Sequence, residues 1–402
     1  MRAAGPGLQA ALLTVANGGS QALLAVAYVI AARTASPDSF GFVASAIGVG
    51  MAMIGIVDFG ANSFWMRSLA SGRMTLSEAA RRGFWKTTTA VVLGVLTLLA
   101  SLVLPLPEEF LAVAPVFLSM TLAQLTQVPL RAAARSDLIA LSIGISRVIM
   151  CAALLVMLLV GLPSTTALWI SLAFAGLLES ILYLWLTPKR RRYRLDDYRF
   201  INPWHGSAHF GIYSVATSFQ SLDVSLVTSF GGAPAGGVYA AVNRWTQPLG
   251  LAVTGFTSAA APFIASAKSF RAGWDVIRRA WWMLGVALAA CVIAFALAPL
   301  IVPLLLGEAY ADSVLVFQIM AIGTIPGLLT QPLAVFGQMR GADRAVGILT
   351  AAGIAVRLLA TAALAAAFGA AGGALAYALS QAVLVVALGS VFARAVREEG
   401  DQ

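Results

Sequence analysis

The chain has 402 residues, 60% of them hydrophobic and only 11% charged, where an ordinary soluble domain has about 45–50% and about 25%. A net charge of +9 points to an anionic partner, but no soluble module with a basic face exists to carry it, which excludes a nucleic-acid-binding protein. The two cysteines, Cys151 and Cys291, lie deep in apolar runs as lipid-facing or core residues, so neither a disulfide framework nor a metal site follows.

The apolar residues come in runs of about 20 separated by short polar loops, the helix length that crosses a bilayer. Lipid offers no hydrogen-bond partner, so each run must satisfy its own backbone as a helix. In chain order the runs predict helices near 8–32, 39–61, 86–104, 109–130, 138–160 and 165–187. Six more follow near 207–230, 236–262, 280–303, 313–337, 345–368 and 371–394. Pro37, Pro105, Pro163, Pro188, Pro234 and Pro303 mark several of the ends. The first run carries Asn17, Gly18, Gly19, Ser20 and Gln21 instead of a clean cleavable core, and is read as a retained helix.

With the N-terminus inside, 22 of the 26 Lys and Arg residues fall in cytoplasmic segments, one outside (Arg33) and three within helices. Both termini are then cytoplasmic. The most basic loop, KRRRYRLDDYR at 189–199, links the halves, and neighbouring inward loops carry Arg73, Arg81, Arg82 and Lys86, then Lys268, Arg271, Arg278 and Arg279. Insertion alone accounts for this bias; a dedicated anionic-lipid site is the competing reading. The even number of helices divides the chain into a six-helix lobe at 1–188, a basic linker at 189–206 and a second six-helix lobe at 207–402. A parallel repeat is visible where PEEFLAVAPVFLSM at 107–120 matches GEAYADSVLVFQIM at 307–320.

No phosphate-binding Gly-rich Lys-Ser/Thr loop is present, and every predicted outer loop is under about ten residues, too short to house catalytic groups. The chain is therefore read as a non-enzyme without a cofactor. His205 and His209 are four apart but lack a third ligand, and are read as a solvated helix end.

Charges inside a bilayer are costly, so each marks a functional candidate. Arg147, Arg244 and Arg357 fall in the fifth, eighth and eleventh predicted helices; Asp58, Glu179 and Asp223 fall in the second, sixth and seventh. Arg147 and Arg357 lie too deep to snorkel and suit a wet cavity, where a planar, permanently charged guanidinium would meet phosphate oxygens. Asp58 is near its helix end and is expected to pair with Arg67. For Asp223 and Arg244 two readings stand, mutual neutralisation or contact with cargo. Asn17 and Gln21 on the first helix, and Ser214, Thr217, Ser218, Gln220 and Ser221 on the seventh, either line the cavity or bond helix to helix.

Three runs carry a resemblance. SPDSFGFVASAIGVGMAMIGIVDFGANSFWMR at 36–67, SFQSLDVSLVTSFGGAPAGGVYAAVNRWTQP in the second half and LLLGEAYADSVLVFQIMA together resemble the bacterial polysaccharide flippases. These form the polysaccharide branch of the multidrug/oligosaccharidyl-lipid/polysaccharide exporter superfamily. The resemblance implies an all-α integral membrane protein of about twelve transmembrane helices, in two six-helix lobes around a central cavity that opens alternately to each side. It implies a monomeric carrier in the bacterial inner membrane, surrounded by membrane lipids and working beside other polysaccharide-assembly proteins. The implied cargo is a glycan on an isoprenoid pyrophosphate, with Arg147, Arg244 and Arg357 toward it. The two extra helices of peptidoglycan-precursor flippases are missing. A cation-coupled multidrug exporter is the alternative within the superfamily, and an embedded enzyme or assembly subunit of glycan synthesis the alternative outside it.

Overall fold

The computed structural model describes residues 6–193, 197–266, 274–275, 278, 281–339 and 343–400. All regular structure among them is helical, and the chain divides into two compact units, Met1–Ser225 and Leu226–Gln402.

The first unit contains α1 (Pro6–Thr34), α2 (Pro37–Asp58), the short α3 (Ala61–Ala70), α4 (Leu76–Val103), α5 (Val113–Ala132), α6 (Ser136–Leu159) and α7 (Ser164–Leu186). After a linker come α8 (Ala208–Phe219) and the start of α9 (Asp223–Gly231), joined by a 3-10 turn at Gln220–Leu222. The sequence explains the helix ends. Ser36 caps α2 by accepting from the Ser39 N–H, and Pro37 holds the first-turn position where its missing N–H costs nothing. At the other end Phe59 and Gly60 adopt φ of 38° and 71°, a left-handed step that turns the chain into α3. Thr75 accepts from the Glu78 N–H and opens α4 about ten residues before the predicted start. Arg81, Arg82 and Lys86 therefore lie on a helix, not in a loop.

Within this unit α5 is central, packed on α2, α3, α4 and α7. It continues through Pro129 to Ala132, although proline has no N–H for the carbonyl four residues back. Tyr193 of the linker supplies the missing donor: its hydroxyl donates to the Leu125 carbonyl at 3.1 Å. Burial pushes the Tyr193 phenol well above its ordinary pKa, which keeps it a donor. The linker is pinned elsewhere by Trp204 Nε1 to the Val57 carbonyl (2.8 Å), Arg82 to the His205 carbonyl (2.8 Å) and Arg81 to Asp197 (3.1 Å). It is docked at these points, while Lys189, Arg190 and Arg199 stay exposed.

The second unit holds α10 (Ala233–Ser266), α11 (Trp281–Leu306), α12 (Ser313–Met339) and α13 (Asp343–Gly400). Here α12 is central, packed on α10, α11 and α13. Gly369, at φ 57° and ψ −134°, breaks α13 into two passes, where 345–368 and 371–394 were expected as separate helices. The matched segments of the sequence repeat take matched roles: each is a 3-10 turn (Glu108–Ala112 or Glu308–Tyr310) leading into the central helix of its unit. Phe117 and Phe317 are both buried there.

Among the described residues nine helices are long and apolar enough to cross a membrane. With α13 counted as two passes, and with α8–α9 and α10 added, they account for the twelve expected spans. The protein is a multi-pass, all-helical membrane protein.

Candidate functional site

Two charged clusters are buried in the first unit. At the end of α2, Lys86 reaches from α4 to form an ion pair with Asp58 Oδ1. The lysine side chain is 1% exposed. Its ammonium also donates to Asn62 Oδ1 at 2.8 Å and lies 5.2 Å from the centre of the Trp65 ring, so all its charge is matched locally. The carboxylate is saturated too. Oδ1 accepts in addition from the Asn62 N–H (3.2 Å) and Oδ2 from Ser214 of α8 (3.3 Å). The partner of Asp58 is therefore Lys86 and not Arg67, because α4 begins early enough to carry Lys86 past it.

The second cluster lies between α1, α6 and α7. Arg147 Nε donates to Ser20 Oγ at 2.9 Å, and its terminal nitrogen stands 3.7 Å from Glu179 Oε1. Ser146 Oγ donates to the same carboxylate oxygen at 2.8 Å. The fifth- and sixth-span charges are thus brought together as a pair.

Near the Asp58 cluster the helices leave a polar cavity of about 280 Å³. Asp58 and Ser214 line it with Asn62 and Ser63 of α3, and α5 contributes Gln124, Gln127 and Arg131. Gln127 Nε2 donates to the Tyr183 hydroxyl at 2.9 Å, which fixes one wall. Arg131 is exposed. Sequence reasoning missed Lys86, Asn62 and Arg131 as site residues. The signal for Lys86 was present in Thr75-x-x-Glu78, a capping box that starts the helix early. Arg131 fell just beyond the predicted span of 109–130, whereas the helix continues to Ala132.

The other candidates are dispersed. Asn17 is exposed and Gln21 half-buried on α1; Gln220 is half-buried in the turn before α9. Asp223 is buried at the first position of α9, with Oδ1 accepting from the Val224 N–H at 2.7 Å. In the second unit Arg244 is half-buried on α10. Arg357 is buried on α13 with its guanidinium carbon 4.9 Å from the centre of the Tyr377 ring, and the Tyr377 hydroxyl is 3.3 Å from Thr324 Oγ1.

Two serines of the seventh span bond helix to helix. Ser221 donates to the Gly48 carbonyl (2.9 Å) and Ser225 to the Ser45 carbonyl (3.0 Å), both on α2. Close approach here depends on glycine: a Cβ on Gly48 would stand 2.4 Å from the Ser221 carbonyl oxygen, and one on Gly55 2.3 Å from Ser218 Cβ. His205 lies in the turn before α8, and the side chain of His209 is outside the described residues. Among the described residues no group of three metal-ligating side chains occurs. Cys151 is half-buried with its thiol 3.7 Å from the Leu23 carbonyl, and Cys291 is buried.

Comparison with known proteins agrees with this architecture. The family model described as "Polysaccharide biosynthesis protein" matches residues 9–268. Curated protein sequences yield no match. Among solved structures, the lipid II flippase MurJ in an inward closed conformation is similar at TM-score 0.77 and 14% identity, covering 94% of this chain and 86% of that one. An inward-facing multidrug resistance MATE family transporter of the MOP superfamily is similar at TM-score 0.64 and 15% identity, covering 95% of both chains. The Vibrio cholerae MATE transporter VcmN in its bent form is similar at TM-score 0.59 and 15% identity, covering 98% of both. At such identities the likeness establishes the fold.

Proposed function

Because the chain belongs to the polysaccharide biosynthesis protein family, we propose that it is a flippase for an isoprenoid-pyrophosphate-linked oligosaccharide, an O-antigen, capsule or exopolysaccharide unit. It moves this cargo from the cytoplasmic to the outer leaflet of the bacterial inner membrane by alternating access, with both termini cytoplasmic. It works as a carrier, not an enzyme, and as a monomer of two six-helix lobes, 1–188 and 207–402.

The observation that carries the reading is the sign of the charge at the polar cavity. Asp58 is cancelled by Lys86, and Arg131 leaves the wall cationic. A cargo with a diphosphate needs donors and positive charge in an otherwise apolar bundle. A cation exporter needs an available carboxylate, and both oxygens of Asp58 are already engaged. Arg147, Arg244 and Arg357 serve the diphosphate or acidic sugars. Energy coupling runs through a protonatable Asp223 or Glu179, or through the response of the arginines to membrane potential.

Reconstitution in liposomes with a fluorescent lipid-pyrophosphate oligosaccharide tests the reading. Wild type transfers the lipid between leaflets, while Arg147→Gln and Arg357→Gln each abolish transfer and leave membrane insertion intact. Full activity in both variants would remove the deep arginines from the mechanism. A flux that follows an imposed pH gradient assigns coupling to the carboxylates, and one that follows voltage alone assigns it to the arginines.

A further inference from the structure

We propose that the polar cavity of the first unit is a diphosphate-binding subsite at the cytoplasmic mouth, with Arg131 as its guanidinium fork. The identity of the ligand as cargo rests on the flippase reading above. The cavity wall is rich in groups that can donate, with Met66 and Val128 as its apolar part. An ammonium can only donate, so Asn62 must turn Oδ1 toward Lys86, which it does at 2.8 Å, and its amide N–H groups remain for another acceptor. Gln124 adds an amide and Ser63 a hydroxyl. The one carboxylate on the wall, Asp58, accepts from Lys86, the Asn62 N–H and Ser214.

Arg131 differs from Lys86, Arg82 and Arg147. Lys86 is held by Asp58, Arg82 by Glu78 (2.9 Å) and Arg147 by Glu179, whereas no carboxylate or carbonyl among the described residues takes a hydrogen bond from Arg131. A planar, permanently charged fork in a concave polar recess matches two oxygens of a phosphate group. At about 280 Å³ the recess lies at the small end of ligand sites, about 300–1,000 Å³. That suits a diphosphate head and is too small for an oligosaccharide, so the sugars and the isoprenoid tail stay outside it. The cavity lies at the end of α2 and α5 where Arg73, Arg81 and Arg135 lie, the face on which the cargo is synthesised in the orientation proposed above. Two features hold Arg131 in place: the Tyr193 hydroxyl that carries α5 through Pro129, and the Gln127–Tyr183 bond one turn earlier.

The test uses the full chain in phosphatidylcholine nanodiscs titrated with inorganic pyrophosphate, alongside the liposome transfer assay. Wild type binds; Arg131→Gln weakens binding at least tenfold; Arg131→Lys falls between, because an ammonium keeps the charge and loses the fork. In transfer, Arg131→Gln raises the half-saturating lipid concentration more than it lowers the maximal rate. Both variants keep the thermal unfolding temperature of wild type, since Arg131 makes no hydrogen bond or ion pair among the described residues. Equal pyrophosphate affinity in wild type and both variants, with transfer intact, overturns the subsite and leaves the flippase reading standing. Arg131-dependent pyrophosphate binding without any transfer by wild type overturns the cargo assignment and the flippase reading together. Loss of pyrophosphate binding when phosphatidylglycerol is added to the nanodisc shows that an ordinary anionic headgroup occupies the recess, and also overturns the cargo assignment.

Discussion

The two units treat buried charge differently. In the first, acids and bases sit on neighbouring helices, and two deep ion pairs, Lys86–Asp58 and Arg147–Glu179, are closed within it. In the second, Arg244 and Arg357 lie within α10 and α13, while Glu308 and Asp312 fall between α11 and α12 and Asp343 is the first residue of α13. Arg357 lies against the face of Tyr377. A carboxylate cancels a guanidinium's field, whereas a ring quadrupole holds the cation in place and leaves its net charge. The first unit thus closes two ion pairs between its helices, whereas the second sets a deep arginine against an aromatic face.

This contrast can be broken from either side. The largest effect is expected from Lys86→Met, which strands Asp58 in a buried site: removing one member of such a pair costs about 3–5 kcal/mol. Thermal unfolding followed by tryptophan fluorescence should show a large drop, and Lys86→Met combined with Asp58→Asn should recover most of it. No recovery would mean that the pair is not a closed unit. A smaller effect, about 2 kcal/mol for a lost charged hydrogen-bonding partner, is expected from Glu179→Gln, which keeps the shape beside Ser146 and Arg147. If the same unfolding measurement finds no change, Arg147 is held by Ser20 alone. The smallest effect belongs to the second unit. Tyr377→Leu should cost about 1 kcal/mol from the cation–π contact, and a loss as large as that of Lys86→Met would erase the contrast between the units.

Much of the architecture was legible in the chain. A bilayer demands about 20 apolar residues per pass and punishes every unpaired backbone group, so the spans can be read from runs of Val, Leu, Ala and Ile. Even the kink at Gly369 falls between two expected helices. The repeat at 107–120 and 307–320 was legible because both copies perform the same packing task. The partner choices were not. The ion pair of Asp58 crosses 28 residues to Lys86, and the bond from Tyr193 that carries α5 through Pro129 crosses 68. Nothing local encodes either.

By itself, then, the sequence determined that this is a many-span helical membrane protein, because solvation by lipid acts on each segment separately. Only the tertiary structure decided which charges are neutralised and which remain available. Asp58 is closed by Lys86, Arg147 by Glu179, and Arg131 is left on the wall of a polar cavity. A charge in a low-dielectric interior is governed by the few groups within bonding reach, and helix packing alone brings those groups together.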